Sequence, residues 1–323
     1  MTVIAEDWLE SLVGEVRPHL AAGAVSTYLP ELAQARAGDL AVAVDLGSGQ
    51  LLTAGSIGQR FSVQSVVKVF TLLLSLHDRG EQHVFRRVGR EQGVGTYDSF
   101  ETFHRDTGVP VNPFVNSGAL AVVDMLDGAD AQARVERVLG LLQALAGNPG
   151  ITVNEQMARS ELARSDHNRA LCWYLRSRGL VDTDVEDLLL AYCRMCAIEL
   201  DVVDLARAGR ALASTTGVPI PDGVLNPSLT RLVRRLLLVT GMYEASGRYA
   251  CDVGIPAKCG VSGAMVGAVA DGAGIGIYGP ALDQSGNSVG GIRLMGLLAE
   301  RLDIDCLPVT GSAQLGVPAA TMR

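Results

Sequence analysis

The segment Phe61-Ser62-Val63-Gln64-Ser65-Val66-Val67-Lys68-Val69-Phe70 opens a long apolar run that ends in Leu76-His77-Asp78-Arg79-Gly80. A run of this length with a glycine stop predicts a buried helix with Gly80 at its C′ position. Ser65 and Lys68 are three residues apart, so both lie on one helical face with Cβ atoms about 5–6 Å apart. A serine hydroxyl is a weak nucleophile, and a neutral, partly desolvated lysine can take its proton during attack. The free N–H groups of a helix N-terminus also favour negative charge near the serine. A Ser-x-x-Lys spacing is common by chance. This lysine stands out because its neighbours are Val66, Val67, Val69, Phe70 and Leu72, where a surface lysine has polar ones.

The run is preceded by strand signals. Residues 6–22 place Trp8, Leu9, Leu12, Val13 and Val16 on one face of an opening helix. The apolar runs 39–45 and 50–55 flank Gly47-Ser48-Gly49 and predict a β-hairpin. From Ser65 to about residue 240 the periodicity is almost wholly helical, with helices expected over 66–79, 117–126, 130–146, 154–178, 183–198, 201–214 and 228–240. Strands return at Ala264–Val269 and Gly274–Tyr278 around Asp271-Gly272-Ala273, and 289–303 reads as a closing amphipathic helix. Strands at both ends with helices between them predict an α+β fold, an antiparallel sheet flanked by helices with a large helical insertion. Residues 1–64 and 241–323 are expected to form the sheet domain and 65–240 the helical one, with a ligand site between them.

The chain of 323 residues is 48% hydrophobic and 19% charged, which fits a compact fold with ample core. A net charge of −8 argues against a nucleic-acid partner. No apolar stretch approaches the roughly 18 residues of a membrane span, and the N-terminus is acidic where a signal peptide is basic, so a cytoplasmic location is expected. Cysteines 172, 193, 196, 251, 259 and 306 lie in or beside apolar segments without a framework spacing, which predicts buried reduced thiols.

A second lysine follows far downstream, in Ile255-Pro256-Ala257-Lys258-Cys259-Gly260-Val261-Ser262-Gly263. A lysine, a small residue and a glycine before a strand match the Lys-Thr-Gly place of penicillin-recognising serine enzymes. Such a cation near Lys68 would help keep Lys68 neutral.

Together with Phe61–Val69, the segments Asn112-Pro-Phe-Val-Asn116-Ser-Gly-Ala, Ser160-Glu161-Leu, Asn168-Arg-Ala, Tyr192-Cys-Arg-Met-Cys196, Gly241-Met-Tyr243-Glu-Ala-Ser-Gly and Pro256–Val261 occur in an order and spacing that resemble the serine-dependent glutaminases over nearly the whole chain. The resemblance implies a β-lactamase-like fold and hydrolysis of L-glutamine to L-glutamate and ammonia through a serine acyl-enzyme, without a cofactor. It implies Ser65 as nucleophile, with Lys68, Tyr243 and Lys258 as further catalytic residues. Substrate contacts are implied at Tyr28, Ser65, Asn116, Glu161, Asn168, Tyr192, Tyr243 and Val261. A homodimer or homotetramer is expected. A free amino acid presents an ammonium that suits Glu161 and a carboxylate that suits donors such as Asn116, Asn168 and Tyr192. Which of Lys68 and Tyr243 is the base in each half-reaction stays open.

Two departures stand out. The family's usual Lys-Ser-Gly-Val-Gly-Gly is here Lys258-Cys259-Gly260-Val261-Ser262-Gly263. Cys259 is expected on the strand flanking the substrate, where a weaker hydrogen bond could slow the reaction, with a thiol close to Lys258 and a lowered pKa. The alternatives are a penicillin-type acylase or β-lactamase, which would need a Ser-Asp-Asn element absent from its usual place, and a catalytically weak glutamine-binding protein. Gly274-Ile-Gly276-Ile-Tyr-Gly279 has a dinucleotide-binding spacing but lies within a strand pattern, so it reads as a strand packed closely against other backbone. Cys193 and Cys196 read as buried thiols in a helix. Asp166-His167 could be drawn with Ser65 as a triad, but His167 reads as a helix-surface residue. The five histidines show no metal spacing.

Overall fold

The computed structural model describes residues 6–47, 49–269, 272–302 and 304. Its main sheet has five antiparallel strands in the order Gln50–Gly55, Ala41–Gly47, Gly274–Tyr278, Ala264–Ala268, Ala257–Cys259. The two expected hairpins therefore share one sheet. Ser48, Ala270 and Asp271 at their tips lie outside the described residues.

The two-residue period of these strands sorts their side chains between two cores. Val42, Val44, Ile275, Ile277 and Met265 point to one face. There they meet Leu9, Leu12, Val13 and Val16 of the helix Glu6–Val16 and Leu294, Met295 and Leu298 of the helix Val289–Leu302. Ala41, Ala43, Ala264, Val266 and Ala268 point to the other face, which is continuous with the large helical core. The helix Val202–Ala213 lies on that face. Gly274 and Gly276 make its close approach possible, since a Cβ at either would stand about 2.0 or 2.2 Å from the carbonyl oxygens of Ala206 and Val202. The Gly-x-Gly-x-x-Gly segment is thus a strand pressed against helix backbone.

The helix Val67–Arg79 runs through the large core with every residue from Val67 to Leu76 buried, and Gly80 ends it at φ +75°. Around it pack Asn116–Asp124, Ala131–Ala146, Asp166–Ser177, Val185–Cys196 and Pro227–Thr240.

Four expectations are corrected. The periodic stretch 154–178 is two helices, Glu155–Ala163 and Asp166–Ser177, because the chain turns at Arg164 and Ser165 and the Ser165 hydroxyl bonds back to the Glu161 carbonyl (2.8 Å). The opening helix ends at Val16 and continues as a 3₁₀ segment, Arg17–Ala22, around Pro18. The helical stretch also contains short strands: Ile198–Leu200 and Thr152–Val153 form one small sheet with Phe61–Ser62, which precedes the stretch, and Val218–Ile220 with Gly223–Leu225 form another. Strands of two or three residues are too short to show a period. Finally, Cys251 is exposed, while Cys172, Cys193, Cys196 and Cys259 are buried and free; Cys306 lies outside the described residues.

Candidate active site

Ser65 sits in a 3₁₀ turn, Gln64–Val66, that runs directly into the helix Val67–Arg79. Gln64 has φ +45° and Tyr243 has φ +54°, the only non-glycine residues with positive φ among the described residues. Left-handed backbone costs a side-chain-bearing residue on the order of 1–3 kcal/mol and persists only where the surroundings impose it. Both strained residues stand beside Ser65. The Tyr243 side chain hydrogen-bonds the Ser65 side chain, and Gln64 precedes it in sequence.

The two lysines are completely buried. Lys68 is 1% exposed, and its Nζ donates to Asn116 Oδ1 (2.6 Å) and the Phe114 carbonyl (3.1 Å). Burial lowers its pKa to about 8, against weaker upward pulls from Cys196 and Glu161. Lys258 is 0% exposed and donates to the Cys259 carbonyl (2.8 Å). Burial, reinforced by Lys68, pushes its pKa well below the usual lysine value. Both lysines stand over one ring: Lys68 Nζ is 5.7 Å and Lys258 Nζ 3.7 Å from the ring centre of Tyr243, whose hydroxyl reaches Ser65.

In front of Ser65 lies a pocket of about 190 Å³. Its lining includes Tyr28, Asn116, Glu161, Asn168, Tyr192 and Val261, so the structure brings together six of the expected substrate contacts with Ser65; Tyr243 stands behind the serine. Asn116 does not cap its helix, as Val115 holds the cap position. It bridges instead, taking the Lys68 amine on Oδ1 and donating through Nδ2 to Asn168 Oδ1 (3.0 Å). Glu161 is 4% exposed and accepts from Gln64 Nε2 (3.4 Å) and from the Cys196 thiol. Among the described residues it makes no salt bridge, and burial raises its pKa to about 7, opposed by Gln64 and Lys68. A buried carboxylate of this kind is complementary to a ligand cation.

The strand Ala257–Cys259 and the turn after it form the wall beside the nucleophile. A Cβ on Gly260 would stand 2.8 Å from the Val63 carbonyl and 3.2 Å from Ser65 N, so the glycine lets the two backbones touch and carries Val261 to the pocket. The expectation for Cys259 is corrected here. Adjacent strand residues face opposite ways: Lys258 turns toward Tyr243, and Cys259 turns into the sheet's other core among Ala257, Met265 and Leu294. Its Sγ accepts the Ser288 backbone N–H (3.1 Å), it is 1% exposed, and burial raises its pKa to about 11. It neither flanks the pocket nor has a lowered pKa. Ser262 likewise faces away from the substrate pocket, into a separate cavity.

Sequence reasoning missed Ser26, Gln64, Tyr97, Asp98, Arg164 and Cys196 as lining residues. Cys196 was legible in principle, because it follows Tyr192 by four residues on one helix and so shares its face; the two side chains hydrogen-bond. Tyr97 comes from an irregular segment and packs 4.8 Å from Tyr243, ring to ring. His167 is exposed but rims the pocket, against the Asp98 carbonyl. Asp166 pairs with Arg169 (2.8 Å), so the drawn triad with Ser65 does not form. Among the described residues no His, Cys, Asp and Glu side chains cluster as metal ligands. No described helix is long and apolar enough to cross a membrane.

The whole chain resembles known proteins in the same way as its site. A family model described as Glutaminase matches residues 23–306. The glutaminase of Shouchella clausii is 41% identical over 302 residues, 93% of this chain and 98% of its own. That of Geobacillus thermodenitrificans is 39% identical over 302 residues, with 93% and 98% covered. Among solved structures, a probable glutaminase from Bacillus subtilis complexed with 6-diazo-5-oxo-L-norleucine superposes with a TM-score of 0.84 at 31% identity, over 95% of this chain and 98% of that one. A Bacillus glutaminase solved in 4.3 M NaCl gives 0.84 at 32% identity, over 94% and 99%. With a family model spanning most of its length and relatives above 30% identity end to end, a chain that holds a serine before two buried lysines belongs to the glutaminase family, the serine-dependent hydrolases of β-lactamase-like fold.

Proposed function

We propose that this protein hydrolyses the side-chain amide of L-glutamine to give L-glutamate and ammonia, through an ester on Ser65. The observation that carries this reading is the pairing of the Ser65 hydroxyl with Tyr243 on one side of a small pocket whose other side holds the buried Glu161 carboxylate. Glu161 takes the α-ammonium. Asn116, Asn168, Tyr192 and Tyr28 surround the α-carboxylate, and the side-chain amide is left facing Ser65.

Tyr243 is itself buried, and desolvation holds its phenol proton firmly. It therefore acts as a relay, accepting the Ser65 proton as it passes its own toward a lysine amine. Lys68, lowered by burial to about 8, is matched to that role near neutral pH. Lys258, whose pKa burial likewise pushes well below the usual lysine value, holds its amine against the ring. Ser65 Oγ attacks the amide carbon, and the backbone N–H groups of Ser65 and Val261, adjacent because Gly260 lets the segments touch, receive the oxyanion. The relayed proton leaves with ammonia. Water then cleaves the ester by the same route in reverse.

The four buried thiols form no disulfide, as suits a reducing cytoplasm. The deciding experiment is ammonia release from glutamine by the purified protein and by Ser65→Ala. Turnover by the first and none by the folded second is expected. Equal release by both would overturn the reading.

A further inference from the structure

A second cavity, of about 160 Å³, backs onto the nucleophile turn, with Glu31, Gln34, Gln59, Ser62, Ser262 and Tyr278 among its walls. Met157 is also a wall, and its sulfur takes the Gln64 side-chain N–H (3.6 Å), so one residue separates this cavity from Ser65. Two of its wall atoms are buried side-chain atoms without a hydrogen-bond partner, Ser62 Oγ and Glu31 Oε2. Ser62 is 1% exposed. The other carboxylate oxygen of Glu31 accepts the Ser160 hydroxyl (2.7 Å). A buried carboxylate oxygen and a buried hydroxyl without a protein partner are each costly, and native structures satisfy such groups with a bound water, ion or ligand.

The chemistry of the walls selects that occupant. Arg60 reaches the cavity, but its guanidinium is engaged by two backbone carbonyls, Glu199 O (2.7 Å) and Gly150 O (3.2 Å), and makes no pair with Glu31. The walls offer the acceptors Glu31 Oε2, Ser62 Oγ and the side-chain carbonyls of Gln34 and Gln59, while the Tyr278 hydroxyl already takes a Gln59 Nε2 hydrogen (3.5 Å). The Ser262 hydroxyl, at the position where the family usually has glycine, adds another oxygen and is held by the Ala264 N–H (3.3 Å). A small cation with several hydrogen-bond donors fits this set. We propose that the cavity binds an ammonium ion.

The proposed reaction enters only as a source of the ion; recognition is set by the cavity. An occupant there would touch Ser62, three residues before the nucleophile, and Ser262, which follows Val261. Both segments that hold the Ser65 turn thus meet at this cavity.

Calorimetric titration of the full-length protein with NH4Cl, at constant ionic strength in choline chloride, tests this without turnover. One saturable site is expected in the native protein and in Ser65→Ala. Glu31→Gln should weaken it on the order of tenfold or more, as expected for loss of a charged hydrogen-bond partner. Ser262→Gly, which restores the usual residue, should weaken it by several-fold and serves as the readout if Glu31→Gln does not fold. Glu161→Gln should leave it unchanged. Absence of saturable binding would overturn the proposal. So would loss of binding in Glu161→Gln with retention in Glu31→Gln, which would place the ion in the substrate pocket. Equal displacement by KCl would also overturn it, since the site would then have no preference for N–H donors. None of these results bears on whether the enzyme hydrolyses glutamine.

Discussion

The amine of Lys258 lies 3.7 Å from the ring centre of Tyr243, with no water-exposed surface on the lysine. The contact packs the amine against the ring, and the Tyr243 hydroxyl in turn reaches Ser65. Tyr243→Phe keeps the ring and its packing and removes only the relay. The expected outcome is a fall in kcat of about 10²–10⁴-fold with an unchanged melting temperature, checked by steady-state kinetics and circular dichroism on one preparation.

Lys68 must be neutral to take a proton, and its pKa is about 8 because burial disfavours the charged form. Activity is therefore expected to rise with pH through about 8, seen as an ascending limb in kcat/KM. Lys68→Met should remove most of the rate, on the order of 10²–10⁴-fold. It should also free Asn116 from its amine partner, which a rise in KM would report.

Glu161 carries the opposite shift. Its folded pKa of about 7 lies above the ordinary 4.5, so between these values the native state keeps a proton that the unfolded chain has lost. Its contribution to stability is thus greatest below about 4.5 and declines as pH rises toward 7. Glu161→Gln should stabilise the free protein above pH 7, by about 1–3 kcal/mol, while impairing glutamine binding. Denaturant melts at pH 5 and pH 8 separate the effects, with little gain expected at the lower pH.

N-acetylglutamine has no ammonium and would leave the Glu161 charge buried and unpaired. Discrimination in favour of glutamine of about 10²-fold or more in kcat/KM is expected, measured by ammonia release. The preference should collapse in Glu161→Gln.

Cys259 faces the second core, so Cys259→Ser should leave kcat within about twofold and lower stability by roughly 1 kcal/mol, the scale of one altered buried contact. A thiol-alkylating reagent should modify the exposed Cys251 first and spare Cys259, whose thiol is buried with a raised pKa. Peptide mass spectrometry reads out both.

The sequence by itself determined the features that depend on neighbours along the chain. The buried helix after Ser65, its glycine stop, the two hairpins and the helical runs each follow from a period of 2 or 3.6 residues. Matched motifs in order identified the family and half of the pocket lining. Tertiary structure alone decided how distant segments meet: Tyr243 against Ser65, Lys258 under the tyrosine ring, and the Lys68–Asn116–Asn168 chain. It also decided which way Cys259 points. In a strand of three residues the alternation of faces is too short to read, and a change of one position exchanges pocket for core. The break at Arg164 and Ser165 was hidden for a related reason: the apolar period continues across it, and only the local return of the Ser165 hydroxyl to the Glu161 carbonyl turns the chain and sets Glu161 and Asn168 on separate helices facing one pocket.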